Sequence, residues 1–493
     1  MSSRAALAAA CSFIVVLGAC TVTASASVDM ETGIADDAQL LYSGPVVAAR
    51  TVTAWQKAGV DVVRVHARWG FIAPGVHSTR APSGFRAADP DDPHYNWGRL
   101  DRAVSLLTAA GIRPMIALTG SGPLWASRVP SLHNTIYEPD PRAFGAFAHA
   151  VAARYAGVVH RYLIWNEPNQ GGWLQPQFRC AAHRCVPRSP AIYRALFRAS
   201  SAQIAAVDPS AEVLIGTLAP RGRAATRPNA AMHPLAFLRA LGCVDSSYKR
   251  IRSGDCASSR PLRAFGFAYH PHPVKLRPQQ HSPNPDDASI GDLGRLEIAL
   301  DRTTLHGILK PTYGRRFNLY LTEFGYQTNP PDKASGVTLR QQADWVQQAY
   351  YIGYRDPRIR NITGYLWRDE PLFSGRLRYA GWQSGLYFAG GIAKPLRRVF
   401  EHPFYVDTSR GRAATFWGQI RPGGTWDVQL ERRGSSGWQT VATRTTNPWG
   451  YWTVHGVVRT TAAYRFQYTP DPASDTSPPT GTSATQRVVR TAR

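Results

Sequence analysis

The chain has 493 residues, enough for one large domain and a smaller one, and a composition that is 44% apolar and 18% charged excludes a disordered protein. A balance of 57 basic to 33 acidic residues leaves a formal charge of +24. Lysine occurs only at positions 57, 249, 275, 310, 333 and 394; the remaining basic residues are arginines scattered along the chain, which excludes the organised basic face of a nucleic-acid binder and leaves an acidic polysaccharide or anionic cell wall as the natural partner of the charge.

Arg4, the apolar stretch from Ala5 to Ala19 and the small residues Ala24-Ser25-Ala26 read as a secretory signal peptide over residues 1–26. Leu17-Gly18-Ala19-Cys20 also fits a lipobox, which would make Cys20 a lipid anchor. No later stretch is apolar enough to cross a membrane, so the mature chain is expected outside the cell and, we expect, as a monomer.

Residues 27–400 alternate short apolar runs with amphipathic stretches, the pattern of repeated strand–helix units. Strands are expected to end near Ile34, His66, Leu118, Asn166, Leu218, Tyr269, Thr322 and Trp367. Helices are expected over 46–58, 100–110, 141–155, 191–207, 232–241, 294–309, 339–355 and 394–400. Eight such units make an α/β protein with a (β/α)8 TIM barrel, whose functional residues sit at the C-terminal strand ends.

Four cysteines follow the leader: Cys180, Cys185, Cys243 and Cys256. The simplest pairing in an oxidising compartment is 180 with 185 and 243 with 256. A metal site using His183 is the rival reading, but no second ligand pair has zinc-like spacing, so neither metal nor cofactor is expected.

Beyond residue 400, segments such as Ala414–Gln419, Trp426–Leu430 and Ala463–Gln467 alternate apolar with polar residues between Gly-rich turns. They predict a small antiparallel β-sandwich over 401–470. Its tryptophans Trp417, Trp426 and Trp449 offer either core packing or a sugar contact. The Pro-, Ser- and Thr-rich end, 471–493, is expected to be disordered.

Two motifs carry the chemistry. Tyr162-Leu163-Ile164 leads into Trp165-Asn166-Glu167-Pro168-Asn169, which puts Glu167 at one strand end. Phe317–Leu321 leads into Thr322-Glu323-Phe324-Gly325, which puts Glu323 at another. Two carboxyl groups brought together from two strand ends are what hydrolysis of a glycosidic bond requires. Pro168 is expected to push Glu167 towards an extended, fixed conformation, and Asn166 supplies an amide for a sugar hydroxyl.

The pair of motifs resembles clan A glycoside hydrolases, above all families 39 and 5. The resemblance extends to Gly59–Val65, Tyr95–Asp101, Pro123–Ala126, Ser384–Tyr387 and Lys394-Pro395, and the C-terminal segments look like bacterial immunoglobulin-like or fibronectin-like modules. It implies a retaining glycosidase acting on the β-linkages of an oligosaccharide or polysaccharide, with Glu323 as nucleophile and Glu167 as acid/base. Arg64 would then hold Glu323 ionised, Asn166 would bond the sugar's 2-hydroxyl, and Tyr269 or His270 would contact Glu323 or the sugar. His66 would reach a hydroxyl, and Trp367 would floor the subsite of the attacked sugar. Trp125, Trp173 and Trp382 would stack on rings along the cleft, and Asp36 or Asp37 would bind hydroxyls. A barrel that only binds sugar, a cell-surface protein and a transglycosylase are the alternatives.

Overall fold

The computed structural model describes residues 26–182, 184–409, 411, 413–470 and 481–489. The signal peptide up to residue 25, the lipobox cysteine Cys20 and His183 lie outside the described residues. No helix among the described residues is long and apolar enough to cross a membrane.

Eight parallel strands close into a barrel. They are β1 (Glu31–Ile34), β2 (Val62–Arg68), β3 (Arg113–Thr119), β4 (Arg161–Ile164), β5 (Glu212–Leu218), β6 (Gly266–Tyr269), β7 (Leu319–Phe324) and β8 (Ile359–Gly364). Each is followed by a principal helix: α1 (Pro45–Lys57), α2 (Gly98–Ala109), α3 (Pro141–Arg154), α4 (Ser189–Val207), α5 (Pro234–Leu241), α6 (Leu293–His306), α7 (Leu339–Tyr354) and α8 (Pro395–Glu401). Proline starts α1, α3 and α5, where its missing N–H costs nothing; Asp140 caps α3 and a Thr338–Gln341 capping box starts α7. The chain is therefore a TIM barrel, as its periodicity predicts.

Alternation along the strands sorts side chains between two cores. Val62, Met115, Leu163, Leu214, Ala268 and Tyr320 fill the barrel interior, while Val63, Val65, Ile116, Ile164, Ile215, Phe267 and Leu321 face the helices. An arginine–carboxylate network closes the lower mouth: Arg161 pairs with Glu31 at 2.5 Å and Glu212 at 2.6 Å and lies over the Tyr320 ring. Function is left to the opposite end.

After α8 come β9 (Phe404–Asp407), β10 (Ala413–Gln419), β11 (Trp426–Gly434), β12 (Gly437–Thr445), β13 (Tyr451–Val457) and β14 (Ala462–Pro470). They form two antiparallel sheets, β9-β10-β13 and β12-β11-β14, around Phe404, Phe416, Val428, Leu430, Trp452 and Phe466. Each fully buried Phe contributes about 1.5–3 kcal/mol. Within the segment expected to be disordered, Gly481–Thr482 and Gln486–Val488 instead pair with β14 and extend that sheet; open backbone groups along β14 give a polar chain a reason to order.

The sandwich packs on α7 and the lower rim of the barrel. Trp417 is fully buried against Tyr351, Tyr354 and Tyr451, and the Tyr451 hydroxyl donates to the Met30 carbonyl at 3.0 Å. Arg421 is buried between the rings of Tyr350 and Phe400. Trp417 and Trp426 thus serve packing, and Trp449 is partly buried against the main core.

Candidate active site

At the C-terminal ends of the strands, β2, β4, β6 and β7 bring together Arg64, Asn166, Glu167, His270, His272 and Glu323. Arg64 and His66 point inward because they share the parity of Val62 on β2. On β7, strict alternation from Tyr320 would turn Thr322 inward and Glu323 outward. A register shift against β8 between Leu321 and Phe324 breaks that alternation, and Glu323 faces the mouth.

Glu323 is buried and held from three sides. Arg64 Nη2 lies 2.6 Å from its Oε1, His272 Nε2 is 3.3 Å from Oε2, and His270 Nδ1 is 3.8 Å away. Burial by itself would raise this carboxyl, but Arg64, His270 and His272 outweigh it and hold Glu323 well below the usual carboxylate range. It is a fixed negative charge.

Glu167 is held differently. Among the described residues its side chain pairs with His270 Nδ1 at 3.1 Å, and 19% of it is exposed, against 7% for Glu323. Glu167 is not extended as expected before Pro168: Trp165 and Glu167 both have positive φ, 67° and 41°, which is costly for residues with a Cβ and is held only by what surrounds them. Those supports are visible. The Glu167 N–H donates to the Thr217 carbonyl at 3.0 Å, Trp165 Nε1 donates to the Trp173 carbonyl at 3.1 Å, and the Asn169 amide bridges Ala219 and Met232. The buried Trp165 ring also lies where a Cβ on Gly120 would stand, which explains glycine there.

A polar chain runs behind Glu323. Asn166 Oδ1 accepts from Arg64 Nη1 at 3.4 Å, and the same Nη1 lies 2.6 Å from His66 Nε2. His66 Nδ1 is 2.6 Å from Asp37 Oδ2. Because arginine only donates, Nε2 of His66 accepts and Nδ1 carries the proton to Asp37. Burial and then Arg64 push His66 below its ordinary value, which agrees with a neutral ring. Burial would raise Asp37, but His66 and Arg64 pull it down. Both nitrogens of His66 are thereby occupied, which removes the hydroxyl contact expected of it. Neighbouring Asp36 accepts from the backbone N–H groups of Gln39, Trp367 and Arg368, tying β1 to the segment after β8; burial nonetheless pushes it up to about 7.

Other expected residues divide. Trp173 lies beside the His66 ring at 6.2 Å, within the site. Tyr269 turns outward, its hydroxyl donating to the Ala288 carbonyl at 2.7 Å, because it has the opposite parity to Ala268 and His270 on β6. Trp367 lies beyond the end of β8 and packs on Trp55, Tyr387 and Phe400 instead of flooring the site. Trp125 donates to the Pro74 carbonyl and packs on Trp69 and Phe85. The aromatic wall beside Glu323 is made by Tyr365 and Trp382, which meet edge to face at 5.3 Å and both pack on His272. Burial, then the charge of Glu323, raises the Tyr365 phenol far above its ordinary value, so it stays a hydrogen-bond donor. Tyr365 and His272 carried no motif of their own; only the parity of the strands leading into them pointed inward.

Both expected disulfides form, Cys180–Cys185 and Cys243–Cys256. The first closes a hairpin of Phe178–Ala181 with Arg184–Pro187, in the loop that also carries Trp173. Glu167, His270 and Glu323 each bring one ligand atom within 4.8 Å of the others. The Arg64 guanidinium already supplies the positive charge there, which disfavours a metal cation in the same place.

No known protein-family model matches this chain, and neither does any curated protein. Similar solved structures include a glucosidase from Croceicoccus marinus, at 11% identity over 88% of this chain and 95% of that one with a TM-score of 0.47. Another is GH5_18 from Streptomyces cattleya in complex with GlcNAc, at 14% identity over 76% of this chain and 79% of that one, also with a TM-score of 0.47. A third is a putative β-galactosidase from Bacteroides fragilis, at 11% identity with a TM-score of 0.43, where 93% of this chain spans 55% of that one, about half its length.

Proposed function

We propose that this protein is a retaining glycosidase that cleaves β-linkages in an oligosaccharide or polysaccharide. The observation that carries this reading is the pair of carboxyl groups at the ends of β4 and β7, which with His270 lie within 4.8 Å of one another. Retaining enzymes keep their two carboxyls about 5–5.5 Å apart, whereas inverting ones need about 6.5–9.5 Å to seat a water.

The environments suit two different roles. Glu323, ionised and clamped by Arg64, attacks the anomeric carbon and forms a glycosyl ester. Glu167, partly exposed and bonded to one histidine, gives its proton to the leaving oxygen and then takes one from the incoming water. Asn166, fixed by Arg64, offers its amide N–H to the sugar's 2-hydroxyl, and Tyr365 with Trp382 supplies the ring face beside the attacked sugar.

The two disulfides support an oxidising, extracellular location, and the arginine excess supports work against an anionic cell wall, by a monomer. The test is hydrolysis of a panel of aryl β-glycosides and soluble polysaccharides by wild type, Glu167→Gln and Glu323→Gln, with NMR of the first-released anomer. Turnover with retained configuration, lost in both variants, is expected. Inversion, or activity that survives in both variants, refutes the assignment.

A further inference from the structure

A second pocket adjoins the catalytic residues on the side of β1 and β2. It encloses about 40 Å³ and is lined by Tyr42, His66, Arg68, Phe71, Asn96 and Arg99 among others. It shares His66 with the chain that orients Glu323, so it is one side chain removed from the nucleophile. Arg68 continues the inward parity of Arg64 and His66 on β2, and its guanidinium reaches the rings of Phe71 at 4.8 Å and Trp173 at 5.7 Å. Trp173 belongs to the loop that follows Glu167.

Three features mark this pocket as built for a ligand. First, several of the barrel's inward or half-buried arginines are paired with carboxylates: Arg64 with Glu323, Arg161 with Glu31, Arg188 with Glu138, Arg239 with Asp286. Arg68 and Arg99 have no carboxylate within ion-pair range among the described residues; Arg68 Nε is buried without a hydrogen-bond partner, as is that of Arg64. Second, the acid nearest the pocket, Asp37, is already bonded to His66. Third, Tyr42 and Phe71 stand 40% and 51% exposed at the mouth and meet edge to face at 6.2 Å. Arg68 bonds the Tyr42 hydroxyl and Arg99 lies 5.4 Å from the Tyr42 ring, so exposed aromatics and arginines without a carboxylate partner stand together and offer a ring face with an anion fork. The volume suits a carboxylate group and is too small for a whole sugar ring.

We propose that this pocket is a subsite for a uronic acid, with Arg68 and Arg99 binding its carboxylate while Tyr42 and Phe71 carry the ring. The protein would then act on an acidic glycan. This rests on the glycosidase reading for its place in catalysis, but binding tests it separately.

The experiment compares uronate-containing polysaccharides and their oligomers with the same material after chemical reduction of the carboxyls to alcohols, which changes nothing but the charged group. Binding is measured by calorimetry to Glu167→Gln, and turnover with the wild type. The acidic form is expected to be preferred by about tenfold or more, the worth of one charge-assisted hydrogen-bonded pair. That preference is expected to shrink in both Arg68→Gln and Arg99→Gln and to weaken with added salt; Arg99 lies on the exposed first turn of α2, so its variant tests the pocket even if Arg68→Gln fails to fold. Equal treatment of the two forms, no binding of either, a preference for sulfated over uronate glycans, or a preference unchanged in both arginine variants overturns the subsite. Binding of uronates without any turnover upholds the subsite and refutes the glycosidase; turnover of neutral glycans alone does the reverse.

Discussion

The two carboxylates of the site come from equivalent places, the ends of β4 and β7, yet they are held in opposite ways. Glu323 is buried among an arginine and two histidines, so its charge is fixed and its position rigid. Glu167 sits on a backbone of positive φ with one histidine contact and an opening to solvent. The difference teaches that one fold end holds one carboxylate as a fixed anion and leaves the other open, which is what the proposed division into nucleophile and acid/base requires.

The largest effect that would break this comparison is expected from Glu323→Gln. It keeps the shape and removes the nucleophile, and steady-state kinetics should show kcat reduced by roughly 10⁴-fold or more. Glu167→Gln should cost about 10²–10⁴-fold, with the loss largest on glycosides whose leaving group needs a proton and smallest on nitrophenolates. A uniform loss across leaving groups would deny Glu167 the acid role.

Arg64→Gln should come next, at about 10–100-fold in kcat/KM, the worth of a charge-assisted hydrogen bond. The sign of its pH effect follows from Glu323. In the wild type the carboxyl is depressed, so its charge, and the stability of its ion pair, are present above the unfolded value and lost only as pH falls through the depressed folded one. Without Arg64 the carboxyl loses the largest of the charges that hold it down and titrates higher, so the acid limb of kcat/KM should move to higher pH. Asp37→Ala should have the smallest effect, about threefold to tenfold, because it frees His66 and only loosens Arg64. Its acid limb should move in the same direction as that of Arg64→Gln; a loss without any change in the pH profile would place Asp37 outside the chain that orients Glu323.

Much of this site was legible in the chain because it lies on strands. Asn166, Glu167 and Glu323 lie at or just past strand ends and Arg64 lies within β2, and both the ends and the parity of strands can be read from apolar runs. Spacing left Tyr269 and His270 open as the contact to Glu323, and the structure gives it to His270, because along a strand one residue is the difference between the interior and the helical shell. Trp367 was misread for a related reason: β8 ends at Gly364, and the chain leaves its alternation before reaching the tryptophan. His272 and Trp382 come from loops and Asp37 from a one-turn helix after the first strand, where spacing does not fix direction, so only the folded barrel shows that His272 meets Glu323, Trp382 packs on His272 and Asp37 bonds His66. The tail beyond 480 had the composition of disorder, but composition does not register an open sheet edge waiting for a partner.

The central assignment, Glu323 as nucleophile and Glu167 as acid/base, is tested most directly by azide rescue of Glu323→Ala and Glu167→Ala on the activated aryl β-glycoside that wild type turns over best. The small anion fills the hole left by whichever carboxylate is missing and attacks the sugar from that face. The α-glycosyl azide from Glu323→Ala and the β-glycosyl azide from Glu167→Ala are the predicted products, read by NMR. The reverse pairing, or the same azide from both variants, would contradict the roles given to the two strand ends.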